Sequence, residues 1–545
     1  MRNVTVILLT LCMLAWGSAT RADERFVPST KGKKLLSYRG PVAGDPGIAF
    51  DGVITGGPLC FRDRIDAAKL DEWAKKTAAT DFGRHTDNFY LCYSCPGKSA
   101  DDFDWFDEHP WIAENWRLMA AAAKKARFKG ICFDSEYYEG MPLFGYFKAR
   151  HKDTRTLEEY RKQVFRRGAE IMRAVNREFP DITILFLFGY SGSYCGVPQH
   201  PVSRERPYAL VSAFVDGMLS ECGPAATIHD MHEQSFSFRI PGSYARARAM
   251  MTDLMPEKSF DPQRYRRHHR AGFSFWADCW ENASDGRPLR VDDLEANYYT
   301  PAEFAYSLHH ALACSDKYVW MWPGVFNWWQ RTCRTVDDAG KTIEKPIPQG
   351  YIDGLHIAHQ PTVPVPPRNR RPNTYRVEPA RKQEGWSDAD TFGDLEKTHD
   401  MIADLPETWR FRIDPDEVGL KEGWQRAGFD DKGWGSIRIR EFWEPQGFSP
   451  YDGAAWYRLK YTPPSLPAGR KAYLAFGAVS DEAAVYADGQ QLFASRFGEN
   501  IRHRRFLVDV TDRIQAGRPV QLAVRVWNTG WCGGIWKSVK LVAAR

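Results

Sequence analysis

From residue 34 to residue 322 the chain alternates short apolar runs of β-type residues with longer stretches of helical periodicity, and no other feature limits its fold so tightly. The expected strands are 34–38, 48–54, 88–94, 130–136, 182–189, 226–233, 272–278 and 318–322. Helical patterns at 67–77, 111–129, 157–178, 208–221, 263–269 and 301–313 fall between most of them. Eight strands with intervening helices predict an α/β fold, a (β/α)8 barrel of the TIM type. One junction fits badly. Only residues 39–47 separate the first two runs, Gly and Pro crowd them, and a parallel crossover needs about a dozen residues or more. Either the barrel is irregular there or the first strand is misplaced.

After Gln360 the texture changes. Pro361, Pro364, Pro366, Pro367 and Pro372 lie among Arg and Asn, which reads as a linker or surface strap over 361–404. Beyond it, 405–545 carries short β runs at 454–461, 472–476, 482–488, 506–510 and 520–527, with Asp488-Gly489 as a hairpin signal. Few helical patterns survive there, so a β-sandwich of the jelly-roll kind is expected to follow a barrel domain at 23–360. A chain of 545 residues is too long for one core, which agrees with that division.

The first 22 residues read as an export signal. Arg2 gives the positive start, residues 4–16 the apolar stretch, and Gly17-Ser18-Ala19 or Thr20-Arg21-Ala22 a small-residue cleavage site. The apolar part is short for a membrane span, so a secreted or periplasmic protein with no membrane anchor after processing is expected. Ten of the eleven cysteines lie beyond the signal and are scattered, unlike a disulfide scaffold. Cys92-Tyr93-Ser94-Cys95 has redox spacing but ends a strand, so a structural role is expected. With no second CxxC and no HExxH, neither a metal nor another cofactor is called for. The net charge of +5 comes from interspersed residues rather than from a basic run, which argues against nucleic acid as a partner.

The C-terminal segment carries Gly423-Trp424, Phe429-Asp430-Asp431 with Trp434, Trp443-Glu444, Gly453-Ala454-Ala455-Trp456-Tyr457-Arg458, Phe476-Gly477-Ala478-Val479, Val485-Tyr486-Ala487-Asp488-Gly489 and Gly533-Gly534-Ile535. In order and spacing this resembles the sugar-binding, galactose-binding-like jelly roll of glycoside hydrolase family 2. The resemblance implies an accessory carbohydrate module. In that family the catalytic barrel follows the jelly roll, whereas here the barrel comes first, so no catalytic residue is carried over. The N-terminal part looks like a glycosidase-type TIM barrel only in layout.

Its chemistry is therefore read from the residues. In Gly130-Ile131-Cys132-Phe133-Asp134-Ser135-Glu136, alternation sends Ile131 and Phe133 to the helices and Cys132, Asp134 and Glu136 into the barrel. The acids fall at the C-terminal end of the strand, where barrel active sites form. The D-x-E triplet also resembles family 18-type chitinase barrels, where the Glu is the acid, although the longer chitinase signature is absent. On the seventh run Ser274, Trp276 and Asp278 point inward. On the sixth, His229, Asp230, His232 and Glu233 crowd the end without an assignable face. Tyr318, Trp320 and Trp322 share a face of the eighth.

Paired carboxylates beside indoles suit glycoside hydrolysis, which needs one protonated carboxyl and one ionised one. The expected roles are Glu136 as general acid, Asp278 or Glu233 as nucleophile or base, and Asp134 as the group that orients Glu136. Trp276, Trp320, Trp322, His232 and Tyr137 are candidate substrate contacts, and Trp527, Trp531 and Trp536 candidate sugar platforms on the sandwich. The bland readings are core packing for each Trp, hydrogen-bonded burial for each His, and capping or Arg pairing for each acid. Three functions compete: a glycoside hydrolase acting on a poly- or oligosaccharide, a non-catalytic carbohydrate-binding protein on a degenerate barrel, and a polysaccharide lyase using a Tyr, His or Lys base.

Overall fold

The computed structural model describes residues 26–38, 40, 47–138, 140–193, 207–279, 289–337, 339–364, 387–448, 451–530 and 532–545. The expected export signal lies outside these residues. The first part is built on nine parallel segments: β1 (Lys34–Tyr38), β2 (Gly52–Leu59), β3 (Phe89–Tyr93), β4 (Gly130–Asp134), β5 (Thr183–Phe186), β6 (Thr227–Asp230), β7 (His269–Ala271), β8 (Phe273–Trp276) and β9 (Tyr318–Trp322). They pair in the order β7-β6-β5-β4-β3-β2-β1-β9-β8. Only Gly272 parts β7 from β8, so the two edges of the sheet are neighbours in the chain and the barrel is nearly closed. Gly272 packs closely at this break, where a Cβ would lie 2.6 Å from the Met231 sulfur.

Eight helices accompany these segments among the described residues: α1 (Ala67–Ala78), α2 (Pro110–Lys125), α3 (Leu157–Glu178), α4 (Val211–Glu221), α5 (Pro241–Ala249), α6 (Pro262–His268), α7 (Pro301–Cys314) and α8 (Gln349–Ala358). Two starts are set by capping boxes, Thr156 with Glu159 for α3 and Thr300 with Glu303 for α7, where each pair satisfies orphan backbone N–H groups reciprocally. The strand alternation divides the barrel as the period of two requires. Leu36, Ile54, Leu91, Cys132, Leu185, Met231 and Trp320 fill the interior. Ile131, Phe133, Phe273 and Phe275 face the helices, each such burial contributing about 1.5–3 kcal/mol.

The first junction is longer than the sequence suggests, because β2 begins later, and β2 itself is irregular, its register with β3 shifting between Gly56 and Leu59. That strand starts at Gly52 rather than at residue 48, with Leu36 opposite Gly52. Asp51 fixes the start: its carboxylate accepts the Leu35 N–H at 2.9 Å and pairs with Lys34 at 3.0 Å. Only glycine fits at 52, because a Cβ there would stand 1.9 Å from the Asp87 carbonyl oxygen. Aromatic rings pack against the residues that lead into β2. Trp328 and Trp329, from the segment after β9, each stand 6.1 Å from Phe50. That segment forms an antiparallel sheet of β10 (Phe326–Asn327), β11 (Thr332–Val336) and β12 (Thr342–Pro346), which sequence periodicity did not announce.

The C-terminal part contains β13 (His399–Asp404), β14 (Thr408–Asp414), β15 (Gly435–Arg438), β16 (Gly453–Tyr461), β17 (Ala472–Phe476), β18 (Glu482–Ala487), β19 (Gln490–Ala494), β20 (Phe506–Asp509), β21 (Val520–Asn528) and β22 (Val539–Ala544). They form two antiparallel sheets, β13-β22-β17-β20 and β15-β14-β16-β21-β18-β19. Phe411, Tyr457, Val485 and Val524 of one sheet share a core with Leu474, Phe476, Val508 and Leu541 of the other, as in a sandwich. β13 lies within the stretch expected as linker and pairs along β22. The two parts meet at α5: Ser243 Oγ donates to the Thr529 carbonyl at 2.7 Å, Arg246 pairs with Glu482 at 3.0 Å, and its guanidinium lies 3.5 Å from the Trp527 ring centre. Among the described residues no helix is long and apolar enough to cross a membrane.

Candidate active site

Two strands end by the same device at the C-terminal mouth of the barrel. At β4 the Asp134 Oδ1 accepts the N–H of Glu136 at 3.1 Å, and at β6 the Asp230 Oδ1 accepts the N–H of His232 at 3.1 Å. An aspartate that bonds the backbone two residues on turns the chain out of its strand. The turn carries Glu136 past the end of β4 rather than along it. After β6 it is sharper, because His232 takes a left-handed φ of 38° and Glu233 opens a 3-10 turn.

The outcome brings three acids together. Asp134 is buried, and Glu233 is buried with 5% of its surface exposed, while Glu136 is half-buried. Burial pushes the Glu233 carboxyl well above its usual range, and the neighbouring charges of Glu136 and Asp134 push it further the same way. Glu233 Oε2 has no hydrogen-bond partner among the described residues. A buried oxygen left so is costly unless it holds a proton or meets a ligand.

Phenols frame the acids. Tyr138 donates to Asp134 Oδ2 at 2.9 Å and Tyr38 to the same oxygen at 3.4 Å, with the Tyr93 hydroxyl 3.1 Å from that of Tyr38. Burial and then the Asp134 charge raise both Tyr38 and Tyr138, so both stay protonated donors. Tyr208 accepts the Tyr137 N–H at 3.0 Å and stacks on Phe188 at 4.5 Å, which pins the strand end that presents Glu136. Half-buried indoles complete the mouth. Trp322 lies 5.0 Å from Tyr38, and Trp276 lies 5.8 Å from Phe236.

Other residues singled out in the sequence go elsewhere. Asp278 is buried under the loop after β9, where its Oδ2 accepts the Val325 N–H at 3.2 Å and Gly324 packs on its carboxyl. Burial raises it to about 7, and the groups that bear on it are N–H donors of its own neighbourhood, not the other three acids. Trp320 is 2% exposed and packs inside the barrel, which leaves no face for a ligand. His232 is buried, its Nδ1 3.0 Å from Ser191 Oγ, and burial lowers it to about 3. It braces the turn instead of meeting solvent. Tyr137 points into its own loop, donating to the Gly140 carbonyl at 3.2 Å and meeting Lys148 at 3.0 Å; its neighbour Tyr138 is the one on the acids. Trp527 and Trp536 are buried, the first against Arg246 and the second 5.4 Å from Phe442. Trp531 lies outside the described residues. Among the described residues no cluster of His, Cys, Asp and Glu could hold a metal ion, and Cys92 and Cys95 are free thiols.

Tyr38, Tyr138 and Phe236 were not singled out from the sequence. For Tyr38 a signal existed: it stands two residues beyond Leu36 on β1 and so ends the inward face. Tyr138 and Phe236 sit in turns, where no period applies.

No protein-family model matches the chain, and no curated protein matches it. Solved structures of Ruminococcus gnavus β-glucuronidase do match in part. The complex with uronic isofagomine is 20% identical over 27% of this chain and 29% of that one, with a TM-score of 0.24. The complex with D-glucuronic acid is 19% identical over 27% and 30%, with a TM-score of 0.23. This chain therefore spans under a third of the length of those enzymes.

Proposed function

We propose that this protein is a glycoside hydrolase in which Glu233 and Glu136 form the working pair. The observation that carries the reading is the buried Glu233 carboxyl, its Oε2 unpartnered, which burial and the charges of Glu136 and Asp134 push toward its protonated form. Hydrolysis of a glycosidic bond requires such a proton donor opposite an ionised carboxylate. Glu233 donates its proton to the leaving oxygen. Glu136 acts as the carboxylate that attacks the anomeric carbon or draws a proton from water. Asp134, gripped by Tyr38 and Tyr138, supplies a fixed negative charge that favours the proton on Glu233 and the cationic character developing at the sugar. These roles exchange the general acid from Glu136, where the sequence put it, to Glu233. Burial is the reason, since Glu136 is half-buried, and of the two buried acids Asp134 accepts from Tyr38 and Tyr138 while Glu233 Oε2 has no partner among the described residues.

Trp276, Trp322 and Phe236 give apolar faces on which a sugar ring can stack. The lyase reading has less support, because burial raises the Tyr38 and Tyr138 phenols and His232 is buried in the turn it braces. The sandwich, with Trp527 and Trp536 buried, acts first as a brace, and export through the N-terminal signal is part of the same proposal.

Incubating the protein with a panel of oligosaccharides and nitrophenyl glycosides, followed by product analysis, tests the reading. Hydrolysis should fall by about 10²–10⁴-fold in Glu233→Gln and in Glu136→Gln while sugar affinity is retained. Hydrolysis that survives both changes sinks the pair. Sugar binding without turnover in the unaltered protein favours the non-catalytic reading.

A further inference from the structure

We infer that Tyr138 is a sugar platform whose ring holds the unit next to the one cleaved, so that the substrate is a chain of sugars rather than a single glycoside; this rests on the hydrolase reading. Tyr138 is 55% exposed, although its hydroxyl reaches inward to the buried Asp134 and donates to Oδ2 at 2.9 Å. The usual arrangement of a surface tyrosine is inverted here. An amphipathic side chain keeps its apolar body on the protein and its polar tip in water. Tyr138 gives its tip to the acids and leaves its ring to solvent. Uncovered ring surface is unfavourable in water, and the apolar face of a sugar covers it. A latch on Asp134 alone explains the hydroxyl and leaves the ring unexplained.

The ring is held in place before any ligand arrives. Its neighbour Tyr137 donates its N–H to the Tyr208 hydroxyl at 3.0 Å and its own hydroxyl to the Gly140 carbonyl at 3.2 Å, and Lys148 meets that hydroxyl at 3.0 Å. At the other end the Tyr138 hydroxyl is tied to Asp134, and the Glu136 carboxylate also bears on it. A side chain ordered in this way loses little conformational entropy on binding.

Sheet order fixes where the platform stands. Three strands separate β4 from β9 by one route round the barrel, and three separate it from β8 by the other. Tyr138, which follows β4, therefore rises across the mouth from Trp276 of β8 and Trp322 of β9. The acids lie between these two banks. Glu136 is on the side of Tyr138. Glu233 follows β6, three residues ahead of Phe236, whose ring is 5.8 Å from Trp276. With Glu233 giving its proton to the leaving oxygen, the departing sugar lies toward Phe236 and Trp276. The sugar that stays with Glu136 extends toward Tyr138. The phenol tip already fills the place at the acids, so the exposed ring meets the unit one step further out.

Tyr138→Phe keeps the ring and loses the hydroxyl, whereas Tyr138→Ala loses both. The difference between the two variants therefore isolates the ring from any effect on Asp134. The probes are tetrasaccharides of glucose, mannose, galactose, xylose or galacturonate, each set against the glycosyl fluoride of the same sugar, which has no second ring to stack. The ratio of kcat/KM for the tetrasaccharide to that for the fluoride should be about fivefold lower in Tyr138→Ala than in Tyr138→Phe, mainly through KM. Equal ratios in the two variants overturn the inference, as does hydrolysis of fluorides with no tetrasaccharide cleaved. If the unaltered protein hydrolyses none of the probes, the hydrolase reading fails and calorimetric titration with the tetrasaccharides decides the platform alone. Binding about fivefold weaker in Tyr138→Ala than in Tyr138→Phe supports it. Equal binding by the two variants, or no binding to the unaltered protein, overturns it.

Discussion

Replacing Asp278 with asparagine distinguishes a buried structural acid from a catalytic one. The carboxyl is 4% exposed, and burial raises it from 3.8 to about 7. A group whose folded-state pKa exceeds its unfolded value contributes its full stability below the unfolded pKa and loses it as the pH climbs through the folded one. Each unit is worth about 1.4 kcal/mol, so Asp278 withdraws about 4 kcal/mol of stability between pH 4 and pH 7. Asparagine keeps an oxygen for the Val325 N–H and has nothing to titrate. Urea unfolding followed by tryptophan fluorescence at pH 5 and pH 8 measures the difference. The stability of the variant relative to the parent should move by about 3 kcal/mol in the variant's favour across that window, from the two units below pH 7. Any part of the substitution's effect that ignores pH cancels in this comparison. Hydrolysis should persist. A pH-independent difference refutes the buried-acid argument, and loss of turnover as deep as that of Glu233→Gln returns Asp278 to the catalytic pair.

Two further outcomes follow from contacts already described. Glu136→Gln removes a negative charge that raises Glu233, so the alkaline limb of the residual activity should move to lower pH; a limb that stays in place shows that the two acids do not interact. Arg246→Met leaves Glu482 buried without its cation at the seam between barrel and sandwich, a loss of about 3–5 kcal/mol that thermal unfolding should show as an earlier first transition. No shift there would mean that the seam carries little of the stability.

Much of the barrel was legible because strands buried on both faces read as apolar runs and their flanking helices carry long amphipathic stripes. The bounds of β1, β9 and α3 follow from the sequence directly. Helix α5 does not. Its nine residues hold Arg246 and Arg248 where an apolar stripe would be expected, because one side faces the sandwich, and Arg246 is satisfied by Glu482 and Trp527. The start of β2 is hidden for a related reason: residues 48–50 are apolar and buried, yet Asp51 and Gly52 decide where pairing begins. At the site, alternation placed Asp134 on the inward face and Trp276 and Trp322 at its end. It gave no guide beyond the strand ends. There the aspartate turns after β4 and β6 set the directions of Glu136, Tyr138 and Glu233, and a one-residue difference put Tyr138 rather than Tyr137 on the acids. Asp278 ends an inward face as expected but is sealed by a loop whose glycine, Gly324, permits the approach.

Everything proposed about catalysis reduces to a proton resident on one named side chain at the pH where the enzyme works. Infrared spectroscopy reads it from the carbonyl stretch of a protonated carboxyl, taken as the difference between the unaltered protein and Glu233→Gln at pH 7. The account predicts a protonated-carboxyl band that disappears with Glu233 and weakens in Glu136→Gln. A difference spectrum showing only an ionised carboxylate lost at residue 233 would contradict it.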